Sequence, residues 1–227
     1  MIYLILMVVI AIASYAVQYS LQKKFKKYSQ MPLQNNMTGR EVAEKMLRDN
    51  GIYDVTVQCV AGSLTDHYNP VNKTLNLSEP VYNVNSVAAA AVAAHECGHA
   101  VQHATSYEWL TLRSKLVPIT NFASRSISIL FIVGLICASI FKSLIFIEIA
   151  IGLYAITTLF AFVTLPVEIN ASQRALAWLD DSGITNVYNH EYAASALKSA
   201  AYTYVVNALA SLATLLYYIY IFLGRRD

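Results

Sequence analysis

The sequence has few charged residues, few cysteines and almost no net charge. Asp, Glu, Lys and Arg make up 13% of its 227 residues, whereas soluble proteins average about 25%. A net charge of +2 gives no support for a nucleic-acid partner. The three cysteines are an odd number without a CxxC pair, so they do not form a disulfide framework. Instead, 56% of the residues are hydrophobic, which is typical of a membrane protein.

Four apolar segments are long enough to cross a bilayer, which requires about 20 residues. The sequence predicts a transmembrane anchor over 1–21, a transmembrane helical hairpin over 117–165 and a last transmembrane helix over 201–223. The hairpin contains two spans, 117–140 and 143–165. We therefore expect a multi-pass protein of the cell membrane that contacts the lipid bilayer.

The first apolar segment is either an uncleaved anchor or a signal peptide. A signal peptide carries its positive charges before the apolar run. Here no Lys or Arg precedes the run, and KKFKK follows it directly at 23–27. We favour the anchor, although Ala11-Ile12-Ala13 offers a weak cleavage pattern.

The distribution of positive charge predicts the orientation in the membrane. The span hairpin places the polar segments 22–115 and 166–200 on one side, and most of the sixteen Lys and Arg residues lie in them. We expect this side to be the cytoplasm, with both termini outside. The pair Arg225-Arg226 at the opposite side argues against this orientation.

The segment 22–115 predicts a small α+β portion. Thr38 and Glu41 fit a capping box at the start of a helix, which Gly51 would end. The buried side of that helix is expected to contain Val42, Met46 and Leu47.

Strand patterns follow this helix. Residues 54–60 are rich in β-branched side chains and predict a strand. Residues 63–68 and 73–78 flank a turn with Pro70 and predict a β-hairpin. The segment 74–78 either offers a sheet edge to an extended substrate or only packs within the hairpin, and both interpretations stay open.

The alanine-rich segment 86–104 predicts a helix, and His95, Glu96 and His99 form an HExxH motif on it. Residues four apart on a helix are separated by about 40° around the axis and about 6 Å along it. Both imidazoles can therefore bind one ion.

This motif predicts a zinc site. Zinc binds histidine nitrogen at about 2.0–2.1 Å, usually with tetrahedral geometry. Glu96 would take a proton from a zinc-bound water and later pass it to the leaving amine, as in zinc proteases. The alternative is that His95 and His99 are hydrogen-bonded structural residues of a buried helix, where unpaired imidazoles would be costly.

The neighbouring residues have other roles. Cys97 points away from the two histidines and is interpreted as a packing residue, while Gly98 allows another backbone to approach closely. His103 is one turn past His99 and too far from His95 to share the ion. A structural role is favoured over supporting a ligand or facing the substrate. The longer metzincin pattern fails, because Gln102 and Thr105 replace its glycine and third histidine.

A catalytic zinc usually has three protein ligands, so a third must come from elsewhere. Glu168 is the best candidate, because Pro166 suits the first turn of a helix over 167–181 and the span hairpin returns the chain there. Ser172 follows one turn later. A favourable charge at a helix N-terminus is the alternative role for Glu168. The other candidate ligands are Glu79, Glu108, Asp180, Asp181, His190 and Glu191.

The segments 62–78, 86–103, 165–176 and 200–209 resemble the small multi-pass bacterial proteins classed as membrane-bound neutral zinc metallopeptidases. More distantly, the chain is similar to the CAAX-prenyl endopeptidase and HtpX-like membrane gluzincins, which combine HExxH with a later ExxxD. This resemblance implies a zincin-like portion with one Zn²⁺. It implies that His95, His99 and Glu168 are the ligands and that Glu96 is the catalytic acid and base.

One position departs from the distant family. Ser172 stands where that family has an aspartate. The residues that support the ligands must therefore differ here, and Ser172 or Asn170 could replace the aspartate.

The sequence thus predicts a mainly α-helical multi-pass membrane protein that acts as a zinc-dependent endopeptidase on a peptide or membrane-protein substrate. The alternatives are a non-catalytic zinc-stabilised scaffold, which would have no need of Glu96, and a metal transporter. A transporter would need several acidic or His residues in its spans, and Glu148 is the only one. The sequence leaves the oligomeric state and the roles of Arg125 and Glu148 open. It does not choose an oxyanion-stabilising residue among Arg174, His190, Tyr202 and Tyr204.

Overall fold

The computed structural model describes residues 2–141 and 143–224, and these residues are mainly helical. The secondary structure includes three short strands besides the helices. In chain order the elements are α1 Ile2–Tyr28, α2 Gly39–Asp49, β1 Thr56–Val60, β2 His67–Asn69, β3 Thr74–Ser78, α3 Glu79–Tyr82, α4 Val87–Ala104, α5 Glu108–Ile140, α6 Ile145–Asp181 and α7 Val187–Leu223.

Four of the described helices are long and apolar enough to cross a membrane, as predicted. They cover Tyr3–Tyr28, Glu108–Cys137, Ile145–Asp181 and Val187–Leu223. Each helix extends beyond the apolar segment that predicted it. The reason is that an α-helix ends where its backbone hydrogen bonds end, whereas the apolar segment ends at the edge of the bilayer.

The helix that carries Glu168 begins earlier than predicted. Pro166 does not start a new helix but lies inside α6, where its ring removes one backbone hydrogen bond. The remaining hydrogen bonds of this 37-residue helix continue on both sides of it. Glu168 is therefore not at a helix N-terminus, so a favourable interaction with the helix dipole does not explain it.

The described chain forms two compact units. The first, called the span unit here, comprises the described residues of Met1–Tyr15, Thr111–Leu165 and Tyr204–Asp227. The second, called the polar unit, comprises Ala16–Leu110 and Pro166–Thr203.

A three-stranded sheet lies in the polar unit, in the order β1-β3-β2. The predicted hairpin is present, because β2 pairs with β3 in antiparallel fashion, although β2 is shorter than predicted. Strand β1 pairs with β3 in parallel. Because β3 lies between two strands, Thr74, Leu75 and Asn76 are paired on both edges. This favours the interpretation that the segment packs within the sheet over the one that it offers an edge to a substrate.

Helix α2 begins and ends as predicted. Thr38 and Glu41 form the capping box, and the Thr38 backbone N–H donates to Glu41 Oε2 at 2.8 Å. This hydrogen bond lowers the pKa of the Glu41 carboxyl. Gly51 follows the helix with a φ of 70°, a conformation that favours glycine. The predicted buried side, Val42, Met46 and Leu47, is buried.

Helix α4 begins after Ser86, whose Oγ accepts the Ala89 N–H at 3.1 Å. Cys97 is fully buried on this helix, and burial raises the pKa of its thiol, so it is a neutral packing residue as predicted. At Gly98 an added Cβ would lie 2.6 Å from the Ala171 carbonyl oxygen. Glycine therefore lets α4 approach the backbone of α6 closely, and this approach positions the site described next.

Candidate metal centre

Helices α4 and α6 bring His95, His99 and Glu168 together within the polar unit. Their candidate ligand atoms all lie within 4.8 Å of one another. Glu168 Oε2 is 3.3 Å from His95 Nε2 and 3.5 Å from His99 Nε2. The side chain of Glu168 is 4% exposed, and those of His95 and His99 are 14% and 12% exposed. The three residues predicted as metal ligands thus form one nearly buried cluster.

The spacing of these atoms fits a zinc ion. Two ligands bound to zinc at about 2.0–2.1 Å and at a tetrahedral angle lie about 3.3–3.4 Å apart. The two distances to Glu168, 3.3 and 3.5 Å, agree with this value, and the ligand atoms of the two histidines lie within 4.8 Å of each other. Two imidazoles and one carboxylate are also a ligand set that zinc prefers. Among the described residues, no other group of three such side chains is this close.

The electrostatic environment also favours a cation. Burial acts to lower the pKa of His99, but the hydrogen bond to Glu168 and the negative charges of Glu96 and Glu168 outweigh it. The pKa of His99 is therefore raised from its usual value. The cluster stabilises positive charge, which a divalent ion would supply.

Gln102 forms a hydrogen bond with the ring nitrogen of His99 that does not face Glu168. It is fully buried, and its Nε2 donates to the Val167 carbonyl at 2.8 Å and to Asn170 Oδ1 at 3.0 Å. Its Oε1 therefore faces His99 Nδ1, at 3.0 Å. Nδ1 must then carry a proton, which leaves Nε2 as the nitrogen that faces Glu168 and is available to a metal ion.

Ser172 makes the corresponding hydrogen bond with the Nδ1 atom of His95. Ser172 Oγ is 3.1 Å from His95 Nδ1, and the serine is buried. Asn170, which accepts from Gln102, also accepts from Arg174 Nε at 2.8 Å. Both residues considered as replacements for the family aspartate thus belong to the hydrogen-bond network around His95 and His99.

Glu96 is not part of the three-residue cluster. Its Oε2 accepts a hydrogen bond from the Tyr68 backbone N–H at 3.1 Å. Strand β2 therefore orients the carboxylate that the HExxH motif assigns to catalysis. Sequence reasoning missed both Tyr68 and Gln102. The sequence singled out Gln102 only because it replaces the glycine of the metzincin pattern.

The other candidates lie outside the cluster. His103 Nδ1 is 3.1 Å from the Tyr68 hydroxyl, so its imidazole has a hydrogen-bond partner outside the cluster. His190 Nδ1 is 3.3 Å from Thr185 Oγ1. Arg174 is held in the supporting network, and the structure does not choose an oxyanion donor. The remaining candidate ligands, the two charged residues within spans and the two candidate tyrosine donors are all exposed. They are Glu79, Glu108, Asp180, Asp181, Glu191, Arg125, Glu148, Tyr202 and Tyr204.

Replacing Gln102 by leucine is expected to weaken zinc binding by about 10–100-fold, the usual cost of losing a hydrogen bond that supports a ligand. The leucine has a similar volume but cannot accept from His99 Nδ1. Competition with a chromogenic chelator measures the affinity. Gln173→Leu, at an exposed position of α6, is the matched control. Equal affinities of the two variants would contradict this role of Gln102.

The fold and the site together define a helical membrane-associated protein with a candidate zinc centre. Residues 3–223 match the model of a family described as "Putative neutral zinc metallopeptidase", and the chain belongs to this family. It is 42% identical over 214 residues to "Putative membrane protease YugP" of Bacillus subtilis (strain 168). The matched residues cover 94% of this chain and 93% of that protein. No solved structure matches the chain significantly.

Proposed function

We propose that the chain is a membrane-embedded zinc-dependent endopeptidase of the gluzincin type, with the polar unit as its zincin-like catalytic portion. His95, His99 and Glu168 hold one Zn²⁺, and Glu96 is the catalytic acid and base. One observation carries this proposal: the HExxH helix and Glu168 converge on a single point, while Glu96 remains outside the ligand set.

A zinc ion bound there supplies Lewis-acid chemistry, which acidifies water and polarises a carbonyl group. Glu96 accepts a proton from the attacking water and returns it to the leaving amine. The Tyr68 N–H, at 3.1 Å from Glu96 Oε2, keeps the carboxylate oriented during both transfers. Gln102 and Ser172 hold the two imidazoles so that their Nε2 atoms face Glu168.

Two observations favour an enzyme over the alternatives. A structural zinc site has four protein ligands, whereas the described residues supply a group of three. A metal transporter would have acidic residues or histidines along an internal path, but Glu148 is exposed on its helix. The substrate is a peptide or a membrane protein, because the centre belongs to a chain with four helices that can cross a membrane.

Removal of the metal tests this function. The purified full-length protein is expected to contain about one zinc per chain, measured by elemental analysis, and to hydrolyse peptides from a mixed library, measured by mass spectrometry. A strong chelator should abolish hydrolysis, and added zinc should restore it. If the bound zinc leaves only when the chain unfolds and no peptide is cleaved, the site is structural.

We further propose that the polar unit faces the cytoplasm. The exposed residue Asn72 lies in this unit, so Asn72→Cys should resist an impermeant thiol reagent in intact cells and react after permeabilisation. The exposed Cys59 is first replaced by serine, because it would also react. Phe141→Cys, in the exposed turn between α5 and α6, should label from outside. The reverse pattern of labelling would overturn the orientation.

A further inference from the structure

A cavity of about 610 Å³ lies within the span unit. Its walls come from α1, α5, α6 and α7, which are the four helices long and apolar enough to cross a membrane. Three of the threonine hydroxyl groups that line it bond to their own helices. Thr157, Thr164 and Thr214 donate to the carbonyls three or four residues earlier, at 2.7 to 2.8 Å. These side chains need no ligand.

Two polar groups on α5 are different. Arg113 Nε and Thr120 Oγ1 are buried and have no hydrogen-bond partner among the described residues. Both residues line the cavity, and they are seven positions apart, so they lie on one face of the helix about two turns from each other. A buried donor without a partner is costly. A ligand with hydrogen-bond acceptors would satisfy both groups.

The charge of the cavity defines the chemistry of that ligand. Arginine is a cationic side chain, and no Asp or Glu lines the cavity. Within the described part of the span unit, the acidic residue is Glu148, which is exposed and forms no ion pair with Arg113. The missing partner of Arg113 is therefore an anionic group of the ligand.

The position of Arg113 and the apolar walls indicate the kind of molecule that carries this anion. Arg113 is in the second turn of α5, at the end of a candidate span, where lipid head groups lie. Phe160, Ala161 and Tyr154 line the cavity on α6 and offer an apolar surface to a hydrocarbon chain. The ligand thus combines an oxyanion with an apolar body.

We propose that this cavity binds an anionic lipid, whose head group accepts hydrogen bonds from Arg113 and whose apolar chain lies along α6. Thr120 donates to a further acceptor along the same molecule. This inference is independent of the proposed zinc chemistry, because the cavity lies entirely within the span unit and its occupant is detected without any measurement of proteolysis.

Native mass spectrometry of the full-length protein in detergent tests the proposal, with phosphatidylglycerol, oleate and phosphatidylcholine added separately. Phosphatidylglycerol is expected to bind at one molecule per chain, and phosphatidylcholine with the same acyl chains should bind much more weakly. Arg113→Gln should reduce the affinity for phosphatidylglycerol by at least about tenfold, because it removes a hydrogen bond to a charged group. Thr120→Val should cause a smaller loss. Oleate distinguishes a carboxylate head group from a phosphate one.

Two neighbouring cations provide matched controls. Lys115 and Arg125 are exposed residues of the same helix that do not line the cavity, so Lys115→Gln and Arg125→Gln should bind phosphatidylglycerol as the wild type does. If all three cation variants lose the same affinity, or if phosphatidylcholine binds equally well, the proposal is overturned. Displacement of the lipid by a peptide with a free C-terminal carboxylate would overturn it in favour of a peptide site.

Discussion

The Glu96→Gln variant is expected to lose peptide hydrolysis and to retain its zinc. Glu96 lies outside the cluster of candidate ligands, so the variant leaves the donor set intact. Glutamine can still accept the Tyr68 N–H, which lies 3.1 Å from the native carboxylate, and the local fold should persist. It cannot take a proton from water at neutral pH. Loss of an acid and base of this kind costs about 10²–10⁴-fold in rate.

Zinc content and hydrolysis rate must be measured on the same preparation. Glu79→Gln, at an exposed position in the polar unit, is the control and should retain both. His95→Ala and His99→Ala should lose both, because each removes a ligand. A Glu96→Gln variant that loses zinc would show that Glu96 binds the metal, and the assigned proton-transfer role would be wrong.

The number of apolar helices could be predicted from the sequence, but their ends could not. Hydropathy detects the part of a helix that lies in lipid. The ends depend on caps and on competing hydrogen bonds, which long apolar runs do not reveal. Pro166 illustrates the difference. Proline is favoured in the first turn of a helix, yet α6 begins at Ile145 and continues through it, because a long helix tolerates the loss of one hydrogen bond.

The sheet shows a similar limit. The antiparallel pairing of β2 with β3 was predictable, because a short turn joins them. The parallel pairing of β1 with β3 joins two strands that are separated in the sequence by β2. No local sequence pattern specifies such a pairing. That pairing occupies the second edge of β3 at Thr74, Leu75 and Asn76, where a substrate strand could otherwise add.

Some residues of the candidate site could also be predicted from the sequence, and others could not. His95 and His99 are one helical turn apart, so their convergence follows from helix geometry alone. Glu168 required an argument about which segments return to the same side of the membrane. Gln102 and Tyr68 were missed, because their hydrogen bonds to Asn170 and Glu96 join different elements. Such contacts have no fixed sequence spacing. The contact between Gln102 and Asn170 depends on the close approach of α4 to α6 at Gly98, and the contact of Tyr68 with Glu96 depends on where β2 lies along α4.

Glu168→Ala is expected to remove zinc and hydrolysis together. The variant deletes the carboxylate that lies 3.3 Å from His95 Nε2 and 3.5 Å from His99 Nε2. Two imidazoles alone would remain, whereas a catalytic zinc usually has three protein ligands. The loss of affinity should therefore exceed the about 10–100-fold loss expected when a supporting hydrogen bond is removed. Chelator competition on Glu168→Ala and Gln102→Leu compares the two effects directly.

His190→Ala is the matched control for Glu168→Ala, because His190 was the main competing ligand in the sequence and lies outside the cluster. Its Nδ1 is 3.3 Å from Thr185 Oγ1, so its loss should change local stability but leave zinc content and hydrolysis near the wild-type values. Glu168→Gln adds a second comparison, since it retains the size of the side chain and removes the negative charge. If Glu168→Ala keeps full zinc occupancy while His190→Ala loses it, the third ligand is His190, and the arrangement of α4 and α6 serves packing rather than metal binding.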